Sequence, residues 1–149
     1  MERFICENIF VPLRSGPSHK SEMLSQVLFG EKYTVIDKAG SWLKIETLFD
    51  NYKGWIDSDH VLHSPDENGE SKVLTRSLAC FRSDKTRIVL EPGCEIYDPD
   101  FKKGSFSIGR SIYKAAEELD QRFITTTDSL SDTALKFINS PYIWGGRVP

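Results

Sequence analysis

The chain has 149 residues, 39% of them hydrophobic and 28% charged, with a net charge of −3; this is the composition of a soluble globular protein with room for one medium domain or two small ones. No Lys/Arg run stands out and no apolar run reaches membrane-spanning length, so neither a nucleic-acid nor a membrane partner is expected. The N-terminus, MERFICENIFVPLRSG, carries Glu2 and Glu7 where a signal peptide needs a basic head and an unbroken apolar core, so a cytoplasmic protein is expected.

Residues 1–63 read as short strands with turns between them, the pattern of a small β-barrel. Phe10 to Arg14 is a strand whose Pro12 suits an edge or first position, and Ser15 to Ser18 is a turn cluster. Met23 to Phe29 and Tyr33 to Lys38 are the next strands, closed by Gly30 and by Ala39-Gly40. Trp42 to Leu48 alternates, with Leu43, Ile45 and Thr47 on one face and Lys44 and Glu46 on the other. Lys53 to Asp57 is the last strand of the block.

The residues of this block closely resemble a bacterial SH3 domain from Val11 to Val61. The carriers are V-P-L-R-S-G-P-S-x-x-S-E, L-F-G-E, W-L-K-I and Y-K-G-W-I-D. Gly30 begins the turn the family writes G-[ED]-x, and Trp42 and the Gly54-Trp55 pair stand where its signature aromatics stand. Their expected role is structural, with Trp55 in the core, since buried aromatics let so short a barrel fold. The A-L-Y-D-Y run of eukaryotic SH3 domains is absent, so polyproline binding is not carried over.

Residues 64–71, SPDENGES, contain no apolar side chain and read as a linker. His60 and His63 beside Asp57 and Asp59 read as a solvated barrel edge rather than a metal site, and no cofactor is expected. Residues 72–125 form a second strand-rich block. Its candidate strands are Val73-Leu74, Leu78 to Phe81, Ile88 to Leu90, Glu95 to Tyr97, Phe106 to Ile108 and Ser111 to Tyr113. The last two flank Gly109-Arg110 as a hairpin. The block lacks the Gly-Trp pair, and Lys114 to Asp120 takes no clear assignment.

Asp128 to Asn139 reads as a helix, with Ser129 or Ser131 as N-cap and Asp132 in the first turn. Leu130, Ala134, Phe137 and Ile138 lie on one face. Pro141 stops the helix, and Tyr142-Ile143-Trp144-Gly145-Gly146-Arg147 follows as an aromatic–glycine turn. Cys6, Cys80 and Cys94 are odd in number and lack C-x-x-C spacing, so each reads as a small buried hydrophobe.

The helix followed by P-Y-x-W-G-G-R resembles the entry to the catalytic domain of NlpC-type cell-wall cysteine peptidases, and the second block resembles the degenerate SH3-like domain that often precedes it. In that family an Asp-Cys-Ser-Gly turn carrying the nucleophile comes next, at a position that would lie beyond Pro149. The resemblance implies a mainly β chain: two small SH3-like β-barrels (1–63 and 72–125), then a helix that begins an α+β papain-like catalytic domain (126–149). It implies the substrate-recognition part of a murein-peptide γ-D-glutamyl–diamino acid endopeptidase, inactive without the nucleophile and the rest of the catalytic domain. The alternative is a stand-alone, non-catalytic module that binds cell-wall peptides. Carried over by motif, the substrate-binding residues are Glu22 of P-S-x-x-S-E, Tyr52 of Y-K-G-W and Tyr142 of P-Y-x-W-G-G. The implied ligand is a murein tri- or tetrapeptide with a free N-terminal L-Ala. Where its catalytic cover is missing, the turn from Ser140 onward is expected to be loosely held or held by a neighbouring copy.

Overall fold

The structure, a computed structural model, describes residues 3–59, 61, 63–65, 69–83, 85–125 and 128–147. It is mainly β, with two antiparallel sheets. The first holds β1 (Arg3–Cys6), β2 (Phe10–Arg14), β3 (Met23–Leu28), β4 (Lys32–Ala39), β5 (Trp42–Thr47), β6 (Lys53–Asp57) and β7 (His63–Pro65). The second holds β8 (Ser71–Val73), β9 (Leu78–Arg82), β10 (Arg87–Leu90), β11 (Glu95–Asp100), β12 (Ser105–Ile108) and β13 (Ser111–Ala115).

The two units share one strand order. The first sheet runs β3-β2-β6-β5-β4-β1-β7 and the second β10-β9-β13-β12-β11-β8. With β9 to β13 placed against β2 to β6, and β8 against β1, the first six positions are the same permutation. The repeat is one of topology. It does not extend to signature residues, which is why the second block carries no Gly-Trp pair.

The strands follow the side-chain period of two. β5 buries Leu43, Ile45 and Thr47 on one face, as its alternation predicts. β2 buries Val11 and Leu13, but it is not an edge strand. It lies between β3 and β6, and its only pairing with β6 is Arg14 with Trp55, so Pro12 interrupts no ladder on that side. Gly54 is the constraint of the Gly-Trp pair. A Cβ there would lie 2.7 Å from Leu13 Cγ and 2.8 Å from the Arg14 carbonyl. Trp55 is half-buried rather than core, with the Lys44 ammonium 5.9 Å from its ring centroid. Part of the stretch read as linker pairs as strand: His63–Pro65 adds to β1.

Adjacent residues of the first unit feed two different cores. Cys6 and Val27 join Val11, Leu13, Tyr33, Leu43, Ile45 and Ile56 inside the first unit. Their neighbours Ile5 and Leu28, with Phe29, pack instead into the core of the second unit, against residues such as Leu78, Ile96 and Tyr113. Each such side chain contributes about 1.5–3 kcal/mol on burial, so the junction is a shared core.

Polar contacts fix the same junction. Glu95 N donates to Phe29 O (2.9 Å), and Tyr97 Oη donates to Gly30 O (2.9 Å). Glu7 Oε2 accepts from the hydroxyls of Ser111 (3.1 Å) and Tyr113 (3.0 Å). Beyond β13, Leu119 and Phe123 close the second core; a 3-10 turn at Gln121–Phe123, capped by Asp120, delivers Phe123.

The C-terminal helix, α1 (Leu130–Leu135), is shorter than its sequence predicts. Ser129 is the N-cap, in a capping box with Asp132. After Leu135 the chain tightens into three-residue turns, Phe137 N to Ala134 O and Ile138 N to Leu135 O, and leaves at Asn139 with φ of 72°. Leu135, Phe137 and Ile138 are exposed, so the predicted apolar face is not buried as a unit.

Candidate functional site

Trp55, Arg14 and Met23 form a row across β6, β2 and β3. Glu22 stands one residue before Met23, and Tyr52 stands three before Trp55. β3 and β6 run in the same direction, because each is antiparallel to β2. Glu22, the last residue of the β2–β3 loop, and Tyr52 therefore sit at one end of the first sheet.

Local hydrogen bonds hold both backbones. Ser15 N donates to Glu22 O (2.9 Å), and Arg14 Nη1 to Ser21 O (2.9 Å). Thr47 N donates to Tyr52 O (3.0 Å), and Tyr52 N to Thr47 Oγ1 (2.9 Å). The side chains remain exposed. Neither the Glu22 carboxylate nor the Tyr52 hydroxyl has a hydrogen-bond or ion-pair partner among the described residues.

The C-terminal turn reaches the same end. Gly145 packs directly on β3: a Cβ at its position would lie 2.6 Å from Met23 O. Met23 is the neighbour of Glu22, so Gly145, three residues after Tyr142, stands at the start of β3. Tyr142 is 83% exposed and Trp144 62%, and the Tyr142 hydroxyl has no partner among the described residues. A carboxylate and two phenols with free polar tips suit a cation that offers several N–H donors, such as an amino terminus.

The tail, expected to be loosely held or held by a neighbouring copy, has an anchor within this chain at Arg147. Arg147 N donates to Gln26 Oε1 (2.7 Å) and Arg147 Nη1 to Gln26 O (2.9 Å). The same guanidinium grips Glu31, with Nη1 to Oε2 at 2.8 Å and Nη2 to Oε1 at 2.6 Å. Glu31 and Gln26 are buried, at 3% and 6% exposure. Sequence reasoning missed all three residues. The available signal was two polar side chains, Gln26 and Glu31, flanking the apolar run Val27-Leu28-Phe29.

Two concavities border these elements, the first sharing Arg14 and the β2–β3 loop with this end. One, of about 290 Å³, is lined by residues that include Phe10, Pro12, His19, Trp42 and Asp57. His19 Nε2 meets Asp57 Oδ2 at 3.0 Å and stands edge-on to Trp42 at 4.9 Å. The larger, about 500 Å³, lies between the second unit and α1 and is bordered by Arg76, Glu91 and Lys136. Among the described residues no cluster of three His, Cys, Asp or Glu could hold a metal ion, and His60 lies outside the described residues.

The cysteines have no nucleophile's surroundings. All three are buried. Loss of water pushes the thiols of Cys6 and Cys80 up to about 12 and that of Cys94 up to about 11. The thiolate is the reactive form. Iodoacetamide at pH 8 is therefore expected to leave the native protein unlabelled and to add three groups in urea. Intact mass reads this directly; one fast adduct in the native protein would place a thiol at the surface.

The architecture, two antiparallel sheets of like strand order, is consistent with SH3-like β domains, and comparison with known proteins narrows it. Residues 13–61 match the family described as the bacterial dipeptidyl-peptidase SH3 domain. The first unit is thus similar to a bacterial SH3 domain. Among solved structures, it is similar to an NlpC/P60 family protein from Bacillus cereus ATCC 10987, with a TM-score of 0.74 and 15% identity. The match covers 97% of this chain and 66% of that one, so the chain spans just under two thirds of that protein. No curated protein matches the sequence.

Proposed function

We propose that this chain is the recognition part of a cell-wall hydrolase, a murein-peptide γ-D-glutamyl–diamino acid endopeptidase, and that it does not itself supply the nucleophile. Glu22, Tyr52 and Tyr142 receive the free N-terminal L-Ala of a murein tri- or tetrapeptide. The carboxylate pairs with the ammonium, and the phenol oxygens accept its remaining N–H bonds. The turn and helix from residue 126 onward are the start of the papain-like catalytic domain in this reading. What supports it is that Glu22 and Tyr52, whose polar tips have no partner among the described residues, stand at one end of the first sheet, where Gly145 of the C-terminal turn packs on Met23. The buried thiols fit recognition rather than catalysis by these cysteines.

A charge-assisted hydrogen bond contributes about 1.5–3 kcal/mol, which is tenfold or more in affinity. Titration calorimetry with L-Ala-γ-D-Glu-diamino acid is expected to show binding that Glu22→Gln weakens about tenfold. N-acetylation of the peptide should abolish it. No heat at millimolar peptide, or equal heat from the acetylated peptide, would remove this reading.

A further inference from the structure

The Arg147–Glu31 pair lies outside the three residues to which substrate contact is assigned above, and its geometry is that of a clamp. Glu31 is buried, and both of its carboxylate oxygens are used. Oε2 also accepts from Leu28 N at 2.9 Å, which fixes the carboxylate inside its own turn. Arg147 presents two parallel N–H groups to it, the bidentate form that sets orientation as well as attraction. Its third side-chain contact is to Gln26 O, and its own backbone N–H is taken by the Gln26 amide oxygen. Four polar contacts thus converge on one residue of the tail, from two residues of the first unit.

The clamp also determines what can stand beside it. Gly145 has φ of 72° and leaves no room for a Cβ against Met23. Gly146 N closes back on Ile143 O at 2.9 Å. With Arg147 held at Gln26 and Glu31, Gly145 lies against Met23 and Leu24 at the start of β3. Glu31 is likewise indexed to the second unit, because the adjacent Gly30 carbonyl accepts from Tyr97 and the Phe29 carbonyl from Glu95.

We propose that Arg147 and Glu31 are paired positioning residues: their ion pair locks the aromatic turn onto the first SH3-like unit and thereby sets where Tyr142 stands relative to Glu22 and Tyr52. The role in binding rests on the function proposed above; the locking does not.

The test uses the full chain with Arg147→Ala, with Arg147→Lys, and with Arg147→Ala combined with Glu31→Gln. The single alanine variant leaves a charge buried and can unfold the barrel. The double variant removes that charge and keeps an acceptor for Leu28 N. In the double variant, amide exchange at Ile143 to Gly146 is expected to rise at least tenfold, with Leu43 to Ile45 unchanged. Affinity for the L-Ala-γ-D-Glu-diamino acid peptide is expected to fall about tenfold. Arg147→Lys keeps the charge but not the fork, and should recover part of the protection and part of the affinity. Exchange within twofold of the parent in the double variant would overturn the lock. A freed turn with unchanged affinity would overturn the positioning role. If the parent binds no peptide, the proposed function fails while the exchange measurement still decides the lock.

Discussion

Gly30→Ala is expected to be the most damaging single-methyl change in this protein, lowering stability by about 2–5 kcal/mol. Gly30 has φ of 83°, where an L side chain is strained by about 1–2 kcal/mol. The added methyl would also lie 2.1 Å from Glu95 O and 2.7 Å from Glu95 C. Those are backbone atoms of the other unit and cannot rotate aside. Relief requires the two sheets to part, with loss of the Glu95 N to Phe29 O and Tyr97 Oη to Gly30 O bonds. Gly40→Ala is the control. It shares a positive φ, 60°, but its methyl meets nothing within 4 Å, so it reports backbone strain alone. Urea midpoints should fall clearly further for Gly30→Ala. Equal shifts would mean that the two units do not meet at Glu95 in solution.

That experiment bears on what a sequence can disclose. Strands β2 to β6 were legible because alternation and turn residues are local, and Leu43, Ile45 and Thr47 carry their own period. Arg3–Cys6 was not legible, because its role depends on partners elsewhere: β4 and β7 on its edges, and a different core on each face. His63–Pro65 was hidden for the opposite reason. A strand of three residues added to β1 needs only backbone pairing, which composition does not show. Trp55 was read as core from residue type, but the buried positions of its strand are Gly54 and Ile56. The helix was legible from its cap. The turns that end it after Leu135 were not, because they involve no glycine or proline before Asn139. At the candidate site, Glu22, Tyr52 and Tyr142 were named by motif resemblance. That Glu22 and Tyr52 share one end of a sheet follows from register, and Arg147 finding Glu31 is a contact across 116 residues that no local pattern announces.

Phe29→Ala is expected to cost about 3–5 kcal/mol and to uncouple the two units. Phe29 belongs to the first unit by sequence and to the second by packing. It is fully buried, edge-on to Tyr113 at 5.2 Å and to Phe106 at 6.4 Å, while those two rings stack at 5.3 Å. Edge-to-face pairs contribute about 0.5–1.5 kcal/mol beyond area burial, so truncation removes both volume and geometry. The loss falls on the second core; the first, built on Val11, Leu13, Tyr33, Leu43, Ile45 and Ile56, keeps its members. The tryptophans make the asymmetry measurable. Trp42 and Trp55 lie in the first unit and Trp144 in the tail, and the second unit has none. In the parent, tryptophan fluorescence and far-ultraviolet circular dichroism should report one coincident urea transition, as a shared core requires. In Phe29→Ala the dichroism should begin to fall at lower urea than the fluorescence, because the tryptophan-free unit unfolds first. Coincident transitions shifted by less than about 1 kcal/mol would show that Phe29 does not hold the second core, and that Ile5 and Leu28 carry the junction without it.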